Sequence, residues 1–156
     1  MGYASSNLAL STSLSENNMI DCLILGDSIA VGTHFAKPEC AVYARGGINS
    51  RDFVNRYIGK DLVAETVVIS LGSNDHKGIK TKNELMDLRS QVVAKKVYWI
   101  LPAIKPEIQE IVEEVANKYG DWIIRIPNLS PDGVHPTIKG YKRIGEILEE
   151  ANGQVF

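Results

Sequence analysis

The chain has 156 residues, 44% of them hydrophobic and 23% charged, with a formal net charge of -2. That length suits one domain with a sizeable core, and the near-neutral balance excludes the strongly basic footprint of a nucleic-acid binder. The apolar runs span only a handful of residues, far short of the ~20 that cross a membrane.

Residues 1–18 are rich in Ser and Asn. They lack the basic start and sustained apolar core of a signal peptide, which points to a cytoplasmic setting or to part of a larger assembly. They read as a flexible lead-in, an adhering arm or a joint to something upstream. A single domain over residues 19–156 follows.

An apolar run, Ile20 to Leu25, stops at Gly26-Asp27-Ser28. A continuous apolar run bounded by glycine reads as a strand buried on both faces, although Asp21 is an odd residue for such a strand. Ile29 to Phe35 is a short helix closed before Pro38. Ala41 to Ala44 is a second strand ending at Arg45-Gly46-Gly47, and Ser50 to Ile58 is a helix with Phe53, Val54, Tyr57 and Ile58 on one face. Thr66 to Leu71 is a third strand, terminating in Gly72-Ser73-Asn74-Asp75. Thr81 and Glu84 match a capping box opening a helix through Leu85, Leu88, Val92 and Val93. Lys96 to Leu101 is a fourth strand stopped by Pro102. Pro106 opens a helix striped by Ile108, Ile111, Val112, Val115 and Tyr119 and ended by Gly120. Trp122 to Ile126 is a fifth strand, the loop from Pro127 to Pro136 carries Asp132-Gly133-Val134-His135, and a last helix runs from about Thr137 to Ala151.

Strands alternating with helices predict an α/β fold: a three-layer α/β/α sandwich around a five-stranded parallel sheet. The common order for five such strands is 2-1-3-4-5. Two cysteines, Cys22 and Cys40, make neither a disulfide framework nor a zinc spacing. With no sign of secretion they are expected to be free thiols, Cys22 as a small buried apolar residue, with a bridge as the lesser alternative because Cys40 precedes the second strand, a candidate neighbour of the first.

Ser28, Gly46-Gly47, Asn74, Asp132 and His135 all follow the carboxyl ends of strands, so the topology crowds them on one rim. Each has an ordinary structural explanation. Ser28 or Asp27 suits a helix cap, the glycines suit a tight turn, Asn74 a cap or left-handed turn, and His135 an exposed loop. Together they supply what acyl transfer through a serine needs. The hydroxyl is a poor nucleophile until a neighbouring base takes its proton. Imidazole can do so near neutrality, if a carboxylate fixes its tautomer. Amides at Ser28, Gly47 and Asn74 can face the developing oxyanion. His34, His76 and the basic face of Lys139, Lys142 and Arg143 read as ordinary solvated positions.

Gly26-Asp27-Ser28, a glycine after the second strand, Gly72-Ser73-Asn74-Asp75 and Asp132-Gly133-Val134-His135-Pro136 resemble, in order, the four blocks of the SGNH (GDSL-type) hydrolases. Ile29 stands where the GDSL name has leucine. The second block, Arg45-Gly46-Gly47-Ile48-Asn49-Ser50, leaves Gly46 or Gly47 as donor, with Gly47 favoured for close backbone approach. The resemblance implies a flavodoxin-like sheet and a serine esterase without metal or cofactor. It makes Ser28 the nucleophile, His135 the base, Asp132 its orienting carboxylate, and Ser28, Gly47 and Asn74 the oxyanion hole. Short rim loops, with little apolar wall, favour acetyl esters of a carbohydrate or other polar carrier: a small-molecule or glycan ester, with no nucleic acid and no membrane as partner. Lipase or thioesterase activity, acyl transfer to another acceptor, and a non-catalytic glycan-binding or assembly module are the alternatives. Nucleotide or flavin binding fits poorly, because Asp27 puts negative charge where a phosphate would sit.

Overall fold

Successive residues of a strand point to opposite faces, and in the central strands of this chain both faces are buried. A computed structural model describes residues 19–153; the expected lead-in over residues 1–18 lies outside the described residues. In β1 (Cys22–Gly26) every residue is buried. Leu23 and Leu25 join one apolar core, with Val67 and Ile69 of β3 (Val63–Ser70) and Val97, Trp99 and Leu101 of β4 (Val93–Leu101). Ile24, Val68, Tyr98 and Ile100 join the core on the opposite face. β2 (Ala41–Ala44) and β5 (Trp122–Arg125) are the short, more exposed edges.

The sheet has the order β2-β1-β3-β4-β5 with every pairing parallel, as expected. Right-handed crossovers then dictate the layers. The step from β1 to β2 runs one way along the sheet and puts α1 (Ser28–Ala36) on one face. The remaining steps run the other way and put α2 (Ser50–Tyr57), α3 (Thr81–Ser90) and α4 (Pro106–Tyr119) on the opposite face. α5 (Ile138–Gly153) returns to pack Ile144 and Leu148 beside Ile29 and Ala30 of α1. The chain direction therefore reverses between β1 and β3, the switch point at which open α/β sheets form their crevice.

Four expectations are corrected. Cys22 and Cys40 are not free thiols but form a disulfide, with Cα atoms 4.9 Å apart. The pairing of Leu23 with Ala41 sets the two preceding cysteines side by side. β3 and β4 each start three residues before the expected Thr66 and Lys96. Val93 donates its N–H to the Leu62 carbonyl at 2.9 Å and pairs with Val63, so the sheet ladder overrides the helical spacing of Val92 and Val93. Thr81 and Glu84 make no capping box: α3 has no side-chain cap, and the Thr81 hydroxyl donates to Asp75 at 2.7 Å. Asp21 lies outside β1, exposed at its entrance, with its carbonyl accepting from Thr66 N–H. Among the described residues no helix is long and apolar enough to cross a membrane.

Candidate active site

At Gly26 the chain leaves the sheet so close to β3 that a Cβ there would lie 1.9 Å from the Ser70 carbonyl oxygen, and its φ is 142°. Only glycine fits such an approach. The next residue decides the role of the turn. Asp27 caps α1: its Oδ1 accepts from Ile29 N–H at 3.0 Å and from the Ser70 hydroxyl at 3.1 Å. Ser28, the first residue of α1, is thereby left with a hydroxyl that the helix does not use. Burial pushes the Asp27 carboxyl up to about 6, partly opposed by those two hydrogen bonds.

The loop after β5 closes on itself. Ser130 N–H donates to the His135 carbonyl at 2.8 Å, and Thr137 N–H donates to the Asn128 carbonyl at 2.8 Å. Within it, Asp132 Oδ1 accepts from the Ser130 hydroxyl at 2.7 Å, from Val134 N–H at 2.8 Å and from His135 N–H at 2.9 Å. Its Oδ2 lies 2.8 Å from His135 Nδ1, and His135 Nε2 lies 2.8 Å from Ser28 Oγ. The His135 N–H, the Ser130 hydroxyl, the Val134 N–H and the imidazole, in that order, hold the Asp132 carboxyl far below the usual carboxylate range. A carboxylate against Nδ1 requires a proton there, so Nε2 presents its lone pair and the Ser28 hydroxyl donates to it. The arrangement is open: the His135 and Asp132 side chains are 39% and 51% exposed.

The segments that carry the other rim residues are tied to the Gly26 turn and to one another. After β2, Arg45 N–H donates to the Gly26 carbonyl at 2.9 Å and Ile48 N–H turns back to the Arg45 carbonyl at 3.3 Å. In this turn Gly47 takes a φ of 78°, while a Cβ on Gly46 would sit 3.9 Å from Ser28 Cβ. After β3, Asn74 Nδ2 donates one hydrogen to the Ile48 carbonyl at 3.1 Å, tying the third segment to the second.

Four supporting residues escaped the sequence reading: Ser70, Ser130, Asp75 and Lys105. Asp75, 1% exposed, accepts from Ser50 N–H at 2.8 Å and from the Thr81 hydroxyl. Lys105 Nζ donates to the carbonyls of Ser73 and Asp75, at 2.9 and 2.7 Å, and so clamps the segment that carries Asn74. Only Ser130, two residues before Asp132, follows a local pattern that could have revealed it. His76 lies off the Ser28–His135 pair, its Nδ1 accepting from Gly78 N–H.

Solved structures share this arrangement of elements. A candidate acylhydrolase from Bacteroides fragilis matches at a TM-score of 0.65 and 19% identity, over 93% of this chain and 96% of that one. A candidate GDSL-like lipase from Parabacteroides merdae matches at a TM-score of 0.61 and 18% identity, over 86% of this chain and 97% of its own. The chain has the SGNH hydrolase fold. A two-domain esterase active on acetylated mannans also matches, at a TM-score of 0.59 and 13% identity, over 93% of this chain and 52% of its own. No family model and no curated protein sequence matches the chain. Within this fold, Ser28, after β1, and His135, after β5, meet 2.8 Å apart.

Proposed function

We propose that the chain is a serine ester hydrolase that removes acyl groups, acetyl in the first instance, from a carbohydrate or another polar carrier. The observation that carries this reading is the unbroken relay from Ser28 Oγ through His135 to Asp132, each link 2.8 Å long. A helix-capping serine would have no use for it. His135 takes the Ser28 proton as Oγ adds to the ester carbonyl. The resulting oxyanion lies between Ser28 N–H, Gly47 N–H and the second Asn74 amide hydrogen, and each such donor is worth about 10²–10³ in kcat. The imidazolium, stabilised by Asp132, returns the proton to the departing alcohol, leaving an acyl-Ser28 ester. Water, deprotonated by His135 in turn, releases the carboxylic acid and restores Ser28.

The open rim supports a short acyl group, because a long chain would need an apolar wall to leave water. An esterase of the same fold acts on acetylated mannans, which agrees with a carbohydrate carrier. The disulfide fits an oxidising compartment better than the reducing cytosol. The test is hydrolysis of p-nitrophenyl acetate and of a panel of acetylated sugars and longer-chain esters, by the wild type and by Ser28→Ala. The expected result is turnover of the acetyl esters by the wild type alone; wild-type and Ser28→Ala rates that coincide overturn the reading and favour a glycan-binding module.

A further inference from the structure

The turn that bears Gly46 and Gly47 has a second side. Beyond it lies an open cavity of about 370 Å³ lined by Arg45, Gly46, Gly47, Ile48, Asp52 and Arg56. Gly46, whose Cβ position lies 3.9 Å from Ser28 Cβ, thus borders both Ser28 and this cavity, so a molecule with its ester on Ser28 can extend into the cavity without leaving the surface. Neither guanidinium has an ion pair among the described residues. Among the described residues Arg45 hydrogen-bonds only through its backbone, from its N–H to the Gly26 carbonyl and at its carbonyl from Ile48 N–H. Arg56 rests 5.8 Å from the Tyr57 ring centroid. The lining acid, Asp52, already accepts from Asn49 Nδ2 at 3.2 Å and from Arg51 Nε at 3.4 Å, and so is occupied outside the pair. Two arginines lining a cavity next to Ser28, with the neighbouring carboxylate engaged elsewhere, leave a cationic subsite of planar donors. Guanidinium forks match carboxylate and phosphate oxygens.

We propose that the acylated carrier is an acid: Arg45 and Arg56 receive a carboxylate or phosphate group of the carrier while its ester sits on Ser28. The inference rests on the hydrolase reading and narrows its substrate class to acylated acidic carbohydrates, such as uronates or sugar phosphates. An uncharged acetylated sugar leaves both arginines in water, whereas a charged one gains two partly exposed ion pairs.

The test compares kcat/KM for an O-acetylated methyl glucuronide, its uncharged methyl ester and an O-acetylated glucose 6-phosphate. With the wild type, the ratio of charged to uncharged ester should be roughly five- to tenfold, the worth of two exposed pairs, and should shrink toward unity at about 1 M salt. In the Arg45→Gln/Arg56→Gln double variant the ratio should fall to unity; damage to the glycine turn lowers both rates and cancels in the ratio. Whichever anion gives the larger ratio identifies the group. A wild-type ratio of unity or below for both charged esters, with the uncharged ester still hydrolysed, overturns the inference and leaves the hydrolase intact. If no ester is hydrolysed, the hydrolase reading falls, and binding of unacylated methyl glucuronide and inorganic phosphate decides the subsite. Shifts of the Arg45 and Arg56 Nε–H resonances support it, and their absence overturns it.

Discussion

Replacing Asp132 by Asn should cost far more activity than the loss of one charge suggests, because the loop dictates how the new amide must lie. Ser130 hydroxyl, Val134 N–H and His135 N–H all donate to one carboxylate oxygen, within 2.7–2.9 Å. The amide oxygen of Asn must stay there to accept them, so its NH₂ replaces the oxygen that now lies 2.8 Å from His135 Nδ1. Two donors cannot face each other. The imidazole must then carry its proton on Nε2, pointing at Ser28, and can no longer accept the serine proton. Loss of the correct tautomer is worth about 10⁴ in kcat, equivalent to about 5.4 kcal/mol of barrier. Asp132→Ala, which lets water reach this half-exposed position and frees the tautomer, should lose less. Steady-state kcat on p-nitrophenyl acetate, with far-ultraviolet circular dichroism to verify folding, measures both. An Asp132→Asn enzyme within tenfold of wild type refutes the reasoning and puts the orienting carboxylate elsewhere.

Two further outcomes follow from the turn at Gly26-Asp27. Cys22 and Cys40 are separated by 18 residues and enclose the whole Gly26-to-α1 segment; opening that loop should lower stability by about 3 kcal/mol on a loop-entropy basis. Urea unfolding of Cys22→Ser/Cys40→Ser measures this, and an unchanged midpoint contradicts it. Asp27 titrates at about 6 in the fold against an ordinary 3.8. The folded state therefore holds the proton more tightly, and Asp27's contribution to stability is greatest below 3.8 and declines as pH rises to about 6, by about 3 kcal/mol in all. The melting-temperature difference between wild type and Asp27→Asn should fall across that window; a difference independent of pH refutes the burial argument.

What was legible in the sequence was whatever the chain decides locally or by topology. The apolar run to Leu25 and the glycine after it, the Pro106 start and Gly120 stop of α4, and the strand order all appear as expected. The rim residues were legible because parallel topology sends every strand's carboxyl end to one side. The misjudgements share one physical cause, which is partners distant in sequence. Thr81 spends its hydroxyl on Asp75 instead of on its own helix. Val93 follows Leu62 and Val63 into the sheet. Cys22 meets Cys40 only because β2 docks beside β1. Nor could the sequence choose between Asp27 and Ser28 as the helix cap; the choice depends on the Ser70 hydroxyl, which approaches Asp27 from β3.

The most direct measurement is covalent. A fluorophosphonate reacts only with a serine whose hydroxyl is deprotonated by a neighbouring base, so intact-protein mass and peptide mapping after treatment read the Ser28–His135 relay itself. One adduct per chain, on Ser28, and none in His135→Ala is the predicted result. An unlabelled wild type, or a label on another serine with Ser28 unmodified, contradicts the assignment of Ser28 as nucleophile.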